Sequence, residues 1–250
     1  MTAIVGILCK DGVVVGADSA VTFAVTPQFA SIEQKANKVT IIGDHVIIAG
    51  TGDVGLAQRF GNIVEQSLNV PNLWAQSKFD VVKVLAHETI KDMQQTFIKP
   101  GKYGALVGFR CQDHSCLCEF AVADFQPEFK TLDGIWYGSL GSTQFMTDPF
   151  LGLLRDVFWS DGPPSVSEGE FAVTATLEHA IGLNPGGVAG PIQIGVLKRE
   201  SAGSWAARLL TAQDVYEHSQ SVKAARQHLR GFRKTQQPAA ADDLPDVPKP

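Results

Sequence analysis

Residues 2–19 read Thr2-Ala-Ile-Val-Gly-Ile-Leu-Cys-Lys-Asp-Gly-Val-Val-Val-Gly-Ala-Asp18-Ser19. Two apolar runs, 3–9 and 13–19, flank the turn Lys10-Asp11-Gly12, which is the pattern of a hairpin. Pairing of the two strands carries Asp18 back towards Thr2. Methionine ahead of a small residue is normally trimmed, so the expected mature chain starts at Thr2. That threonine then carries a free α-amine and a hydroxyl, a base and a nucleophile on one residue. A carboxylate beside such a pair makes this stretch a candidate catalytic centre as well as the start of a sheet.

Working outward, residues 38–43 and 46–51 read as a second strand pair turning at Gly43-Asp44. Asp53 is placed to cap a helix to about Leu68, with Leu56, Phe60 and Ile63 recurring at helical spacing. A second helix is expected over about 79–97, followed by strands at 103–111, 117–125 and 128–138 as a meander. Two further helices are expected, one after Gly141-Ser142-Thr143 to about Trp159 and one over about 168–181. Strands at 191–198 and 205–211 and a final helix over about 213–233 complete the pattern. Strands, two helices, strands, two helices, strands is an α+β order. Each helix pair needs a sheet face to cover, which two stacked sheets between two helix layers supply. The reading is one domain over 1–235, including the last helix, with a Pro- and Asp-rich tail, 236–250, expected to be disordered.

Two hundred and fifty residues suit one large domain, and 44% hydrophobic with 19% charged residues is ordinary globular composition. The net charge of −5, with no dense Lys/Arg cluster, argues against a nucleic-acid partner. No apolar stretch is long enough to span a membrane, and no signal pattern precedes Thr2, so the expected compartment is the cytoplasm. In that compartment the four cysteines are expected as thiols. Cys111, His114, Cys116 and Cys118 hold metal-binding atom types, but they fall on an expected hairpin and at no standard zinc spacing, so no metal is expected there.

Four motifs together resemble the proteasome β-type subunits, within the N-terminal-nucleophile hydrolase family. They are Thr2-xxx-Gly6, Gly16-Ala-Asp18-Ser19-xx-Thr22, Asn37-Lys38-Val39 leading to Ala49-Gly50-Thr51-Gly52-Asp53, and Gly141-Ser142-Thr143. The chain is most similar to the bacterial ring proteases of the HslV type and the betaproteobacterial proteasome homologues, over roughly residues 2–215. The resemblance implies a four-layer αββα sandwich and a threonine peptidase whose nucleophile is Thr2, acting inside homo-oligomeric rings of six or seven, stacked in pairs.

Carried over by position, the α-amine of Thr2 is the base, acting directly or through a water. Lys38 sits against the threonine hydroxyl, and Asp18 holds that lysine charged and oriented. Gly52 supplies an oxyanion-hole N–H, and Ser142 bonds the amine, with Ser139 as its rival. The backbone at Thr22 pairs with extended substrate. Positions Ala20, Ala36, Thr40, Gly50, Val54 and Gln58 line a specificity pocket expected to prefer apolar side chains. The family's outer acid and serine are missing from the loop 182–190, where Asn184 is the one polar substitute. No cofactor is implied. The substrate is a peptide or unfolded protein, and unfolding would need a separate protein, since the chain has no nucleotide-binding Walker sequence. The alternatives are a non-catalytic ring subunit of the same fold, or an amidase of the same superfamily acting on a small molecule. Segment 22–37, with Phe23 and Phe29, is expected as a long loop projecting from the active-site rim.

Overall fold

The computed structural model describes residues 2–23, 32–183, 187–200 and 203–235. The quoted stretch forms strands β1 (Ala3–Cys9) and β2 (Gly12–Ala17), every residue of both buried. They pair antiparallel with Ile4 opposite Ala17 and Cys9 opposite Gly12. Alternation is absent because both faces are covered: one packs on a second sheet, the other on helices.

β10 (Tyr137–Gly141), β1, β2, β11 (Gln193–Arg199) and β12 (Trp205–Leu209) form one five-stranded sheet, in that order. The other runs β5 (Val39–Ile42), β6 (Val46–Gly52), β7 (Tyr103–Cys111), β8 (His114–Phe120), β9 (Pro127–Lys130). All pairings are antiparallel. The sheets stack through β1 and β2 against β7 and β8. Helices α1 (Val54–Leu68) and α2 (Lys78–Gln95) cover the second sheet. On the first sheet lie α3 (Gln144–Phe158) and α4 (Val166–Gly182), with α5 (Ala212–Thr235) packed against α4. The result is the four-layer αββα sandwich, with the helix layers on the outside.

Local chemistry accounts for the helix ends. The Asp53 carboxylate accepts from the N–H groups of Gly55 and Leu56, satisfying two orphan donors of α1. Ser165 and Glu168 form a reciprocal capping box that starts α4. The core has two compartments. One lies around β1, β2, α3 and α4, the other between the second sheet and α1/α2, where Phe60, Phe120 and Phe125 pack at centroid distances of 5.1–5.5 Å. Each such ring contributes area burial plus edge or stacking preference.

Three expectations change. The run 128–138 is not one strand: Pro127–Lys130 ends the second sheet, and Tyr137–Gly141 crosses to the first beside β1. The break falls at Thr131-Leu-Asp-Gly134, whose Thr131–Gly134 hydrogen bond closes a turn. Strand β8 starts and ends earlier than 117–125, and the chain turns at 121–126, where Phe125 has φ 60°. The segment 22–37 is not loop throughout, because β3 (Ala20–Phe23) pairs with β4 (Ile32–Lys35) as a two-stranded ribbon. Its tip with Phe29, the tail 236–250 and Asn184 lie outside the described residues. Among the described residues no helix is long and apolar enough to cross a membrane.

Candidate active site

Three sequence-distant positions meet at the open end of the β1–β2 hairpin. Asp18 follows β2 and its side chain is fully buried. It accepts from Ala3 N at 2.9 Å, Ala20 N at 3.0 Å and, more weakly, Ala189 N at 3.4 Å. Its Oδ1 also takes the Lys38 ammonium at 2.7 Å, and the Lys38 side chain is itself 8% exposed. A buried charge is tolerated when it is paired and hydrogen-bonded, and both conditions hold here. Lys38 Nζ lies 3.3 Å from Thr2 Oγ1, within donating distance.

Behind this pair is a residue that no sequence pattern singles out. The Gln193 side chain, from β11, accepts from the N–H groups of Lys38 at 2.9 Å and Val39 at 3.3 Å. Its amide also donates to the Ala36 carbonyl at 2.6 Å. It clamps the backbone on both sides of Lys38 where the chain enters β5. No local motif marks a glutamine 155 residues downstream, and only the β2–β11 pairing brings it in.

On the other flank, Thr2 N donates to Ser142 Oγ at 3.2 Å. Ser139, two residues into β10, is turned away: its hydroxyl contacts Asp148 Oδ1 at 2.5 Å and Thr147 Oγ1 at 2.7 Å on α3. Strand geometry decides this, since Ser139 lies opposite Val5 on β1 and its side chain packs under the helix. Gly52 ends β6 with φ 107°, and a Cβ there would fall 2.1 Å from the Lys102 carbonyl oxygen, so only glycine fits. It is followed at once by the N-terminus of α1, a source of positive potential. Thr22 lies in β3 opposite Glu33, on the ribbon that leaves the site.

Between the ribbon, β5, β6 and α1 opens a cavity of about 680 Å³. Its walls include Thr2, Lys38 and Gly52, and also Ala20, Ala36, Thr40, Gly50, Val54 and Gln58, the positions expected from the family resemblance. Further wall residues are mixed: Tyr103, which opens β7, and Asn62 and Glu65 on α1 are polar, while Ile41, Ile48 and Ala57 are apolar. The cysteines lie elsewhere. Cys111, Cys116 and Cys118 pack in the core under α1 and α2, and burial pushes their thiols up, Cys116 to about 12. Cys111 sits opposite His114 across the hairpin. Among the described residues no group of three or more His, Cys, Asp or Glu is placed to hold a metal ion.

Residues 2–117 match the family model described as Proteasome subunit. A proteasome subunit beta of Nanoarchaeum equitans (strain Kin4-M) is 28% identical over 83 residues, 33% of this chain and 40% of that protein. The chain thus spans about two-fifths of the length of that relative. Among solved structures, the Gly-1 mutant of Anbu from Hyphomicrobium sp. strain MC1 superposes with a TM-score of 0.70 at 13% identity. That superposition covers 96% of this chain and 100% of that one, and at this identity it is a likeness of fold.

Proposed function

We propose that this chain is a proteasome-type N-terminal-nucleophile hydrolase, a reading supported by the family-model match over residues 2–117 and the likeness of fold, and that it is a threonine peptidase whose nucleophile is Thr2, exposed by removal of Met1. The observation that carries the reading is the line Asp18–Lys38–Thr2, with Lys38 Nζ 2.7 Å from the carboxylate and 3.3 Å from the hydroxyl.

In the proposed reaction the Thr2 oxygen attacks the carbonyl carbon of a peptide bond while its proton passes to the freed α-amine, directly or through a water. The Lys38 ammonium, held by Asp18, stabilises the negative charge that develops on the attacking oxygen. The tetrahedral oxyanion is met by the Gly52 N–H, with the α1 N-terminus adding to the potential. Ser142 orients the amine through the bond its Oγ already makes to the Thr2 nitrogen. Collapse of the intermediate breaks the C–N bond, and the departing nitrogen takes the proton from the α-ammonium. A water then attacks the acyl ester left on Thr2 and gives its proton to the same amine; the ester C–O bond breaks, and the ammonium returns that proton to the departing Thr2 oxygen, restoring the enzyme. Strand β3 at Thr22 is the edge along which extended substrate lies.

The family suggests self-assembly, and we place the active sites inside homo-oligomeric rings of six or seven subunits, stacked in pairs, acting on peptides or unfolded proteins in the cytoplasm. The outer face of α3 supports assembly: Phe145, Leu153 and Val157 recur at four- or eight-residue spacing and are more than half exposed. An exposed apolar helix stripe of this kind is a surface that association covers.

The test is intact mass before and after treatment with a threonine-directed epoxyketone. The expected result is a chain lacking Met1 that gains one adduct, with no adduct on Thr2→Ala. Quantitative retention of Met1 on soluble protein would block the amine and overturn the mechanism. Particle size then separates a ring from a small-oligomer amidase.

A further inference from the structure

Tyr103 is 1% exposed, yet it forms part of the cavity wall beside Thr2. Its ring is held between Phe60 and Phe125, at centroid distances of 5.8 and 5.9 Å, so it has one orientation. Its hydroxyl lies under Gly50. A Cβ at position 50 would stand 2.4 Å from that oxygen, so the missing side chain of Gly50 is the space the hydroxyl occupies. No hydrogen bond joins this hydroxyl to a described residue, and it is not among the fully buried atoms that lack a partner, so it opens on the cavity. Burial holds the phenol well above its ordinary titration range, so it remains a neutral donor and acceptor at neutral pH.

A hydroxyl that opens on a cavity and makes no hydrogen bond to a described residue is a contact point for whatever fills the cavity. An apolar side chain would displace water from it and leave it unsatisfied, which is costly. A cationic side chain would meet no countercharge nearby. Lys38 and Asp18 already neutralise one another. Glu65 lies eleven residues along α1 from Val54, about 16 Å by helical rise, beyond the reach of one side chain. The rest of the wall is mixed: Gln58 and Thr40 are uncharged and able to hydrogen-bond, while Ile41, Ile48 and Ala57 are apolar.

We propose that Tyr103 is a specificity-determining residue whose hydroxyl hydrogen-bonds an uncharged polar side chain, an amide such as that of glutamine, on the substrate residue whose carbonyl Thr2 attacks. The inference rests on the peptidase reading in one respect, that this cavity receives the side chain next to the cleaved bond. It reverses the expectation of an apolar preference. A site built around a hydrogen bond rejects the analogue that lacks it more strongly than an apolar pocket rejects a polar isostere.

The test uses two fluorescent peptides ending in glutamine or methionine, side chains of similar length and shape. Their binding to the assembled Thr2→Ala protein is measured by polarisation, so no cleavage is required. The glutamine peptide should bind about fivefold to tenfold more tightly. Tyr103→Phe, which keeps the ring and removes the oxygen, should bring the ratio close to one. Gly50→Ala, whose methyl would meet the hydroxyl, should do the same. An equal or reversed preference in the Thr2→Ala parent overturns the proposal, as does a ratio that Tyr103→Phe leaves unchanged. Should Tyr103→Phe fail to fold, the parent ratio and Gly50→Ala decide. A glutamine preference in a native protein that cleaves nothing would fail the peptidase reading alone. Cleavage without that preference would fail this one alone.

Discussion

The two ends of the cavity are built on opposite principles. At the Thr2 end the charged groups are held by the protein. Asp18 takes three backbone N–H groups and an ammonium, and Lys38 is fixed through its side chain by Asp18 and through its backbone by Gln193. At the Gly50 end the Tyr103 ring is buried, and its hydroxyl faces the cavity without a hydrogen bond to a described residue. The first arrangement suits chemistry, because charge that develops in a transition state is met by dipoles already in place. The second suits selection, because a hydroxyl facing the cavity discriminates among occupants. The lesson is that burial of a polar residue does not by itself say what it is for; the state of its hydrogen bonds does.

The sharpest way to break the comparison is Lys38→Ala. It should lower turnover of short fluorogenic peptides more than about 100-fold while leaving assembled particles intact by light scattering; activity within about tenfold of the parent removes Lys38 from the mechanism. Asp18→Asn should cost about 10- to 100-fold in the same assay. It should also lower stability by about 3 kcal/mol in denaturant unfolding, because the buried ammonium loses its counter-ion. Equal stability would mean that the pair is not what holds this end together.

Gln193→Leu sharpens the point, since it keeps the volume near β11 but releases the backbone around Lys38. A roughly tenfold loss in kcat with KM little changed is expected. An effect on KM alone would move Gln193 from positioning to binding.

The smallest effect lies away from both ends. His179 stacks on Phe150 at 4.2 Å, and burial, then the nearby Arg226 charge, lowers its pKa below the ordinary histidine value. A group depressed on folding contributes stability above its unfolded pKa of about 6.5 and loses it as pH falls through the folded value. His179→Phe should therefore soften the fall in Tm between about pH 7.5 and 5.5, by no more than about 2 °C. An identical fall in both proteins would show that other groups set it.

Much of this architecture is legible in the order of residues alone. The apolar runs around Lys10-Asp11-Gly12 announce a hairpin, and the hairpin alone carries Asp18 to Thr2. Asp53 and the Leu56–Phe60 spacing announce α1 and its cap, because caps and periodicity are local properties. The break inside 128–138 carries a turn signal in Asp133-Gly134, but no local signal says that the two halves join different sheets. The ribbon at Ala20–Phe23 and Ile32–Lys35 is hidden for a like reason, since its pairing spans a long connection.

The sequence by itself determined the nucleophile candidate, the carboxylate beside it and the layers of the fold, through local pattern and strand pairing. Tertiary structure alone decided that Ser142 and not Ser139 reaches the Thr2 nitrogen, that Gln193 clamps Lys38, and that Tyr103 fills the space Gly50 leaves. Each of those depends on which face of one strand meets another element far away in the chain. That is a matter of register and packing, and no run of neighbouring residues encodes it.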